Sequence, residues 1–259
     1  MGILIFIICL LASVIGGICG IGGGVIIKPV LDAMGIMSVS AISFLSGLTV
    51  MSMSIISVLR QRKAKLVELG TGTALAIGAV IGGIIGNALF QSIKRVAGND
   101  AFVGMVQAVV LAVVTLLTLV YSAFLREKLP SYHVKNPAAC AGIGMGMGVL
   151  SAFLGIGGGP INLAVLFFAF SMDTKKAAAN SLYIIMFSQI ASFITSCVRG
   201  TIPDFPWLYL LLMVSAGVLG GMLGSRINKK ISARTTDKLF SGLLSVIIFI
   251  CIYNVWRFS

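Results

Sequence analysis

Eight long stretches of the sequence carry almost no charged residues. They lie at residues 2–31, 36–59, 69–93, 102–125, 138–170, 177–198, 207–225 and 239–256. Most are long enough to cross the hydrocarbon layer of a bilayer, about 30 Å thick, as α-helices. Of the whole chain, 58% is hydrophobic and 10% is charged, whereas soluble domains carry about 25% charged residues. The sequence therefore predicts an all-α polytopic integral membrane protein.

The chain has a formal net charge of +12, which in a soluble domain would suggest nucleic-acid binding. Here the basic residues fall in short loops between apolar runs, where they orient a protein in the bilayer. We therefore expect lipid around the chain and no nucleic-acid partner. The first run has no basic region before it and no clear cleavage site, so we expect it to be retained rather than removed as a signal peptide.

Two segments of the chain repeat one another. "GIGGGVII" begins at Gly20 and "GIGGGPIN" begins at Gly155, an offset of 135 residues; "GAVIGGIIGN" (78–87) matches "AGVLGGMLGS" (216–225) at an offset of 138. Each half is thus a glycine-broken run followed by three further runs. The sequence predicts two membrane repeats, residues 1–125 and 138–259, joined by a basic linker at 126–137.

The loop charges indicate how the two halves are oriented. If every run crossed the bilayer, the two faces would carry 9 and 10 Lys and Arg residues, but if the first run of each half doubles back, they carry 14 and 5. Such a bias is what the positive-inside rule requires of inverted-topology repeats. We therefore predict two inverted repeats, each opening with a glycine-broken helix or re-entrant hairpin. The linker is then cytoplasmic and both termini lie outside, with three or five crossings per repeat left open.

The glycine runs predict interrupted helices. Unwound backbone inside the hydrocarbon layer costs several kcal/mol for each unpaired group unless protein or a water-filled cavity surrounds it. Because proline is favoured at the first position of a helix, we expect half-helices to begin at Pro160 and, by symmetry, at Val25. Their amino ends would present free amides and a positive dipole, a site for an anion. The alternative is that glycines only allow close helix packing, which we prefer for "IGGIIG" and "LGGMLG".

The candidate substrate-binding residues follow from these breaks and from the polar residues near them. From the glycine runs they are Gly20, Gly22, Gly23, Gly24, Gly155, Gly157, Gly158, Gly159 and Pro160. The polar candidates are Asn162, Asn180, Ser181, Tyr183, Gln189 and Ser46, each of which could equally form hydrogen bonds between helices. Lys28 lies four residues before Asp32; it either pairs with that carboxylate, the interpretation we prefer, or adds positive charge to an anion path.

The sequence offers little for catalysis. The chain has one histidine, His133 in the linker, and Asp32 is nearly the only carboxylate at membrane depth. No Gly-Lys-Ser/Thr follows the glycine runs, so a nucleotide site is not indicated. We expect no enzyme activity, no catalytic residues, no metal and no cofactor.

Three segments of the chain resemble the sulfite exporter TauE/SafE family: "GICGIGGGVIIKPVL" (17–31), "SAFLGIGGGPINLAVL" (151–166) and "KKAAANSLYIIM" (175–186). The resemblance implies a transporter that moves sulfite, sulfoacetate or related sulfonates across a bacterial cytoplasmic membrane. It also implies that the glycine runs, Pro160, Asn162, Asn180 and Ser181 line the substrate path. Val25 departs from the pattern, because the second copy has Pro160 at that position.

Our leading hypothesis is an alternating-access carrier that holds a small anion at the paired GIGGG segments. One alternative is a passive anion channel built on the same broken helices. Another is a membrane assembly factor that transports nothing. A second copy of the chain is a candidate partner.

Overall fold

The computed structural model describes residues 1–61, 66–126 and 128–258, and within these it contains ten α-helices. They are α1 (Gly2–Cys19), α2 (Gly24–Met34), α3 (Val39–Gln61), α4 (Leu69–Ala97), α5 (Asp100–Val120), α6 (Pro137–Leu154), α7 (Pro160–Phe170), α8 (Thr174–Val198), α9 (Trp207–Lys230) and α10 (Ala233–Phe258). A π-helical turn, Tyr121–Leu125, extends α5. Eight of the helices are long and apolar enough to cross a bilayer, which confirms the predicted all-α polytopic class. Arg62, Lys63 and Lys65, counted above among the loop charges, lie outside the described residues.

The first apolar run of each half is divided into two helices at its glycine segment. α7 begins at Pro160, as predicted, and α2 begins at Gly24, one residue before the expected Val25. α2 folds back on α1, so closely that a β-carbon built on Gly23 would be 3.0 Å from the α-carbon of Ser13. α7 also turns back, because its last turn accepts hydrogen bonds from the backbone of Tyr132 and Val134, just before α6. Both glycine segments are therefore tips of helical hairpins.

Polar contacts define two ends of the helix bundle. At the end that carries the chain termini, which we call the terminal end, Arg257 donates to the backbone carbonyl of Asp32 at the close of α2. At the opposite end, the linker end, Arg126 pairs with Asp237 at 3.2 Å. Lys229 there donates to the carbonyl of Arg60. Helix α3 consequently runs from the terminal end to the linker end, and its counterpart α8 runs the other way.

The first helix of each half packs against a helix of the other half. α1 of the first half packs along α9 of the second, and α6 of the second packs along α4 of the first. Small residues make this possible: a β-carbon on Gly17 would lie 3.5 Å from the α-carbon of Gly224, and one on Gly148 would lie 2.8 Å from that of Ala79. Glycines of "IGGIIG" and "LGGMLG" take part in these contacts, which confirms their predicted packing role. Helix α3 also packs along α8, and α5 packs along α10.

Candidate functional site

The two glycine segments meet at the centre of the bundle. A β-carbon on Gly22 would lie 3.2 Å from the carbonyl oxygen of Gly157, and one on Gly24 would lie 2.6 Å from the carbonyl carbon of Ile156. We call this contact of residues 20–25 with 155–160 the glycine crossing. The backbone is left-handed at Gly20, Gly22, Gly155, Gly157, Gly158 and Gly159. Residues with a β-carbon rarely adopt that conformation, so the crossing depends on glycine.

The glycine crossing holds a set of unpaired backbone amides. Within the described part of the chain, the N–H groups of residues 21–25 and 156–159 have no acceptor, while the carbonyl of Gly23 receives the N–H groups of Ile26 and Ile27. The side-chain oxygen of Asn162, in the first turn of α7, is buried and also unpartnered. Free amides at the amino ends of two helices carry partial positive charge. The arrangement is suited to an anion.

Two aliphatic side chains cover the glycine crossing. Val50, in the middle of α3, lies against Gly22 and Gly157, and Ile185, in the middle of α8, lies against Gly22 and Gly158. Both are fully buried and belong to one apolar cluster with Met53 and Leu182. Val50 and Ile185 occupy equivalent positions at the offset of 135 residues. They form an apolar plug, one residue from each half.

A cavity of about 250 Å³ reaches from the terminal end toward this plug. Its polar and glycine lining comes from α3, α4, α8, the α8–α9 loop and the tip of the α6–α7 hairpin: Ser40, Ser43, Gly47, Asn87, Gln91, Lys94, Gly155, Gln189, Ser192, Ser196 and Thr201. Lys94 is the one charged residue among the described lining residues, and it donates to Ser40 at 2.7 Å and faces Asp100 at 3.5 Å. No carboxylate from the described residues lines the cavity. Its electrostatic character therefore favours an anion.

Several lining groups have unused hydrogen-bonding capacity. Asn87 donates its amide to Ser192 and Ser196, at 3.3 and 3.0 Å. The hydroxyls of Ser43 and Thr201 and the carbonyl oxygen of Asn87 have no partner among the described residues. Buried polar groups in proteins are normally satisfied by protein or ordered water. These groups therefore mark the cavity as a place for water or a polar ligand.

The structure distributes the predicted site residues over several places. Gly155 and Gln189 line the cavity. Ser46 and Ser181 are fully buried, and their hydroxyls have no partner in the described part of the chain. Pro160 and the other glycines lie in the glycine crossing.

Three further candidates lie away from the cavity. Asn180 is at the linker end, where it accepts from the backbone of Glu68 and donates to the carbonyl of Leu66. Tyr183 packs edge-on against Phe187 on its own helix. Lys28 pairs with Asp32 at 2.5 Å, the interpretation we preferred from the sequence.

Sequence reasoning missed most of the polar cavity lining. Asn87, Gln91 and Lys94 follow one another at the i, i+4, i+7 spacing on α4, and Ser192 and Ser196 continue the same face of α8 as Gln189. That spacing places side chains on one face of a helix. A search for polar stripes within the apolar runs would have found both groups.

Among the described residues, the linker half of the bundle contains a matching polar set that does not line the large cavity. On α3, the counterparts of Gln189, Ser192 and Ser196 at the same offset of 135 are Ser54, Ser57 and Gln61, all buried. The counterpart of Asn87 at an offset of 138 is the buried Ser225. We call these four residues the polar seam. Ser57 donates across the seam to the carbonyl of Gly221 on α9.

Contacts from α8, α9 and α1 close the linker end beyond the polar seam. Asn228 donates to the carbonyl of Ile18 at 2.5 Å, and Lys175 donates to the carbonyl of Asn228. As far as the described residues define it, the large cavity therefore opens toward the terminal end alone, and the plug of Val50 and Ile185 separates it from the glycine crossing.

Comparison with known proteins agrees with this architecture. The model of the family described as sulfite exporter TauE/SafE matches residues 5–250. The chain belongs to this family. It is similar to the probable membrane transporter protein YunE of Bacillus subtilis (strain 168), with 25% identity over 240 residues, covering 84% of this chain and 85% of that protein. No solved structure gives a significant match. The chain is thus a multi-pass membrane protein of a TauE/SafE transporter family, which is consistent with the expectation that it is not an enzyme.

Proposed function

We propose that the protein is a secondary transporter of small sulfur-containing anions, such as sulfite, sulfoacetate or related organosulfonates, and that it works by alternating access. One observation carries this proposal: two runs of unpaired amides, at the amino ends of α2 and α7, meet beside a polar cavity that opens at one end of the bundle. Family membership gives the transporter class. The amides and Lys94 give the preference for negative charge.

The two sites have complementary roles in the proposal. The cavity admits the anion from the terminal end, where Lys94 attracts it and the hydroxyl groups of Ser43 and Thr201 replace part of its hydration shell. The unpaired amides of the glycine crossing then bind the sulfur oxyanion once the plug of Val50 and Ile185 moves aside. Because an amide nest binds oxyanion oxygens without a compensating counter-charge, it suits a substrate that must also be released.

The polar seam supports alternation between two open states. Ser54, Ser57, Gln61 and Ser225 repeat the polar character of the open cavity at equivalent positions. In the proposed cycle, helices α3 and α9 separate along this seam while the cavity between α8 and α4 closes. Inverted-topology halves permit such an exchange because each half can adopt the conformation that the other one holds.

The orientation in the membrane follows from the loop charges. Of the 14 Lys and Arg residues assigned to one face, the 11 that the structure describes lie at the linker end, and short basic loops remain on the cytoplasmic side. We therefore propose a cytoplasmic-membrane protein with a cytoplasmic linker and both termini outside. In this arrangement the cavity faces outward.

Two alternative functions make different predictions. A passive anion channel would conduct through a continuous pore, whereas the cavity here is lined by Gly47 and Gln189 and stops about one helical turn before Val50 and Ile185. A channel would also show neither saturation nor counterflow. An assembly factor would show no flux under any gradient.

The test is counterflow of radiolabelled sulfite and sulfoacetate in proteoliposomes containing the purified full-length chain. The decisive variant is Gly47→Leu, which gives α3 the residue found at the equivalent position of α8, Leu182, and fills the cavity beside Gln189. We expect it to bind anion at least about tenfold more weakly while remaining folded. Gly47→Ala is the matched control, because its β-carbon would meet only the flexible end of Gln189, at 2.8 Å. Absence of saturable counterflow by the unmodified protein for every sulfur oxyanion would refute the proposed function.

A further inference from the structure

A second, much smaller cavity lies on the other side of the last turn of α6. It measures about 10 Å³ and is bordered by Lys28, Asp32, Gln107, Leu154, Cys251 and Asn254. That volume has room for about one water-sized group. Leu154 borders this cavity, while Ala152 and Gly155 of the same turn border the large one. A single helical turn therefore separates the two.

Three buried acceptor oxygens around the small cavity have no donor within the described part of the chain. They are Oδ1 of Asp32, Oε1 of Gln107 and Oδ1 of Asn254, on side chains with 6%, 2% and 1% exposure. The amide orientations are fixed by their other contacts: Nε2 of Gln107 donates to the carbonyl of Phe153 at 2.6 Å, and Nδ2 of Asn254 donates to the carbonyl of Pro29 at 2.8 Å. Because carbonyl oxygens only accept, each amide must direct its own oxygen elsewhere. The small cavity thus carries three unpartnered acceptors, and the donors at its border are the Lys28 ammonium group and the Cys251 thiol.

The ion pair beside this cavity is absent from the other half of the protein. At the offset of 135 residues, the counterparts of Lys28 and Asp32 are Leu163 and Phe167, which are buried in an apolar cluster. The second half builds the same kind of hairpin without any charge. The pair is therefore not needed for the architecture, and charges at membrane depth are costly enough to suggest a functional role.

We propose, on the basis of the transport function above, that Asp32 is the binding site for a proton that is transported together with the anion. A proton taken from water at the terminal end forms an O–H bond with Oδ1 of Asp32 and neutralises the carboxylate. The new hydroxyl then donates to the amide oxygen of Gln107 or Asn254, which satisfies two of the three unpartnered oxygens. Asp32 lies within the last turn of α2, at the same end as the mouth of the large cavity.

Proton binding would strengthen anion binding by simple electrostatics. While Asp32 is ionised, its carboxylate balances the positive charge of Lys28, with Oδ2 of Asp32 2.5 Å from Nζ of Lys28. Once Asp32 is protonated, the ammonium group loses its counter-charge, and it lies only one helical turn from Gly24 at the amino end of α2. A nearby anion is then bound more tightly, and by linkage the anion favours the proton to the same degree. The two ligands therefore load together from one side.

Few other charged or titratable groups face the pair. Helix α10 contributes the Cys251 thiol and the Arg257 guanidinium, which donates to the backbone carbonyl of Asp32 rather than to its carboxylate. Helices α5 and α6 contribute the neutral residues Gln107 and Leu154. On the other face of α2, α1 contributes Cys9 to an apolar cluster with Ile27 and Leu31. Asp32 is thus the one carboxylate of the described residues at this cavity.

The test measures the affinity of the full-length purified protein for sulfoacetate as a function of pH. Sulfoacetate keeps a constant charge between about pH 6 and 8, well above the pKa of a carboxyl group. We expect its Kd to fall up to about tenfold as the pH is lowered, within the usual range of coupling. Asp32→Asn imitates the protonated carboxyl and should bind tightly at every pH. Lys28→Leu combined with Asp32→Phe, which copies the second half, should bind weakly at every pH.

A second measurement keeps the proton site testable apart from transport. Infrared difference spectra of the unmodified protein should show a carboxylic acid band on acidification, and Asp32→Asn should lack it. A pH-independent Kd in the unmodified protein, or an unchanged band in Asp32→Asn, would overturn the proton proposal. If no sulfur oxyanion binds while the Asp32 band still titrates, the proposed substrate fails and the proton site stands. Thermal unfolding of each variant shows whether it has folded.

Discussion

The α-carbon of Gly22 faces the carbonyl oxygen of Gly157, and a β-carbon added to Gly22 would lie 3.2 Å from that oxygen. The contact joins two segments that occur at corresponding places in the two halves of the chain. The two segments are in direct contact, so a larger side chain at this point would press on both hairpins. The glycine crossing is therefore the place where the two halves are mechanically coupled.

Gly24→Ala should disrupt the glycine crossing. Its β-carbon would overlap the backbone of Ile156, which cannot move aside as a side chain can. We expect a loss of about 1–3 kcal/mol in stability, as for overpacked cores, together with loss of counterflow. Gly146→Ala is the control, since nothing lies within 4 Å of a β-carbon at that position. Equal thermal unfolding of the two variants would contradict the assigned contact.

Asn87→Asp should weaken anion binding without unfolding the protein. The substitution keeps the size of the side chain but places a negative charge in a cavity that has no other carboxylate among the described lining residues. Two like charges about 4 Å apart repel by several kcal/mol at an effective dielectric constant of 20, so affinity should fall by more than about tenfold. Asn87→Ser, which copies Ser225 of the second half, should cost much less. Isothermal titration with sulfite compares the two, and similar affinities would show that the anion does not enter this cavity.

Lys94→Gln should raise KM several-fold and leave kcat nearly unchanged. The ammonium group lies at the mouth of the cavity and is partly exposed, so it acts mainly by attracting the anion before binding. The salt dependence of uptake should decrease in the variant, because the attraction between Lys94 and the anion, which salt screens, is no longer present. Arg95→Gln removes a neighbouring charge that does not line the cavity and serves as control. If both variants have the same effect, Lys94 has no special role in substrate entry.

Cysteine labelling should place the two ends of the bundle on opposite sides of the membrane. Asp204→Cys lies in the exposed α8–α9 loop at the terminal end, and Ser131→Cys lies in the exposed linker. In a background without the exposed Cys197, an impermeant maleimide should label the first in intact cells and the second only after permeabilisation. The reverse pattern would invert the proposed orientation, and labelling of both in intact cells would contradict the assigned ends.

The sequence was sufficient for the features that depend on local chemistry. Long uncharged runs predicted the membrane helices, the glycine segments predicted where two of them break, and Pro160 predicted the first residue of α7. The i, i+4 spacing of Lys28 and Asp32 also predicted their pairing. Each of these depends on residues close together in the chain.

The features that the sequence did not reveal depend on distant residues. The packing of α1 on α9 is one example, because Gly17 and Gly224 meet only in the folded protein. The position of Asn180 at the linker end is another, since its partners Leu66 and Glu68 belong to the other half. The cavity itself depends on the state of the bundle as well as on residue type, because equivalent polar residues enclose it on one side and form a closed seam on the other.

The exchange of α1 and α6 between the halves has a consequence for biosynthesis. Asn228 supplies its amide to the carbonyl of Ile18, 210 residues earlier in the chain. The ribosome must therefore finish almost the whole protein before the first helix meets its partner. Until then the α1–α2 hairpin lies in the bilayer without its contacts to α9, and an isolated first half lacks the helix against which α1 packs. Expression of either half alone should yield material that is degraded, whereas co-expression of the two should restore a stable complex.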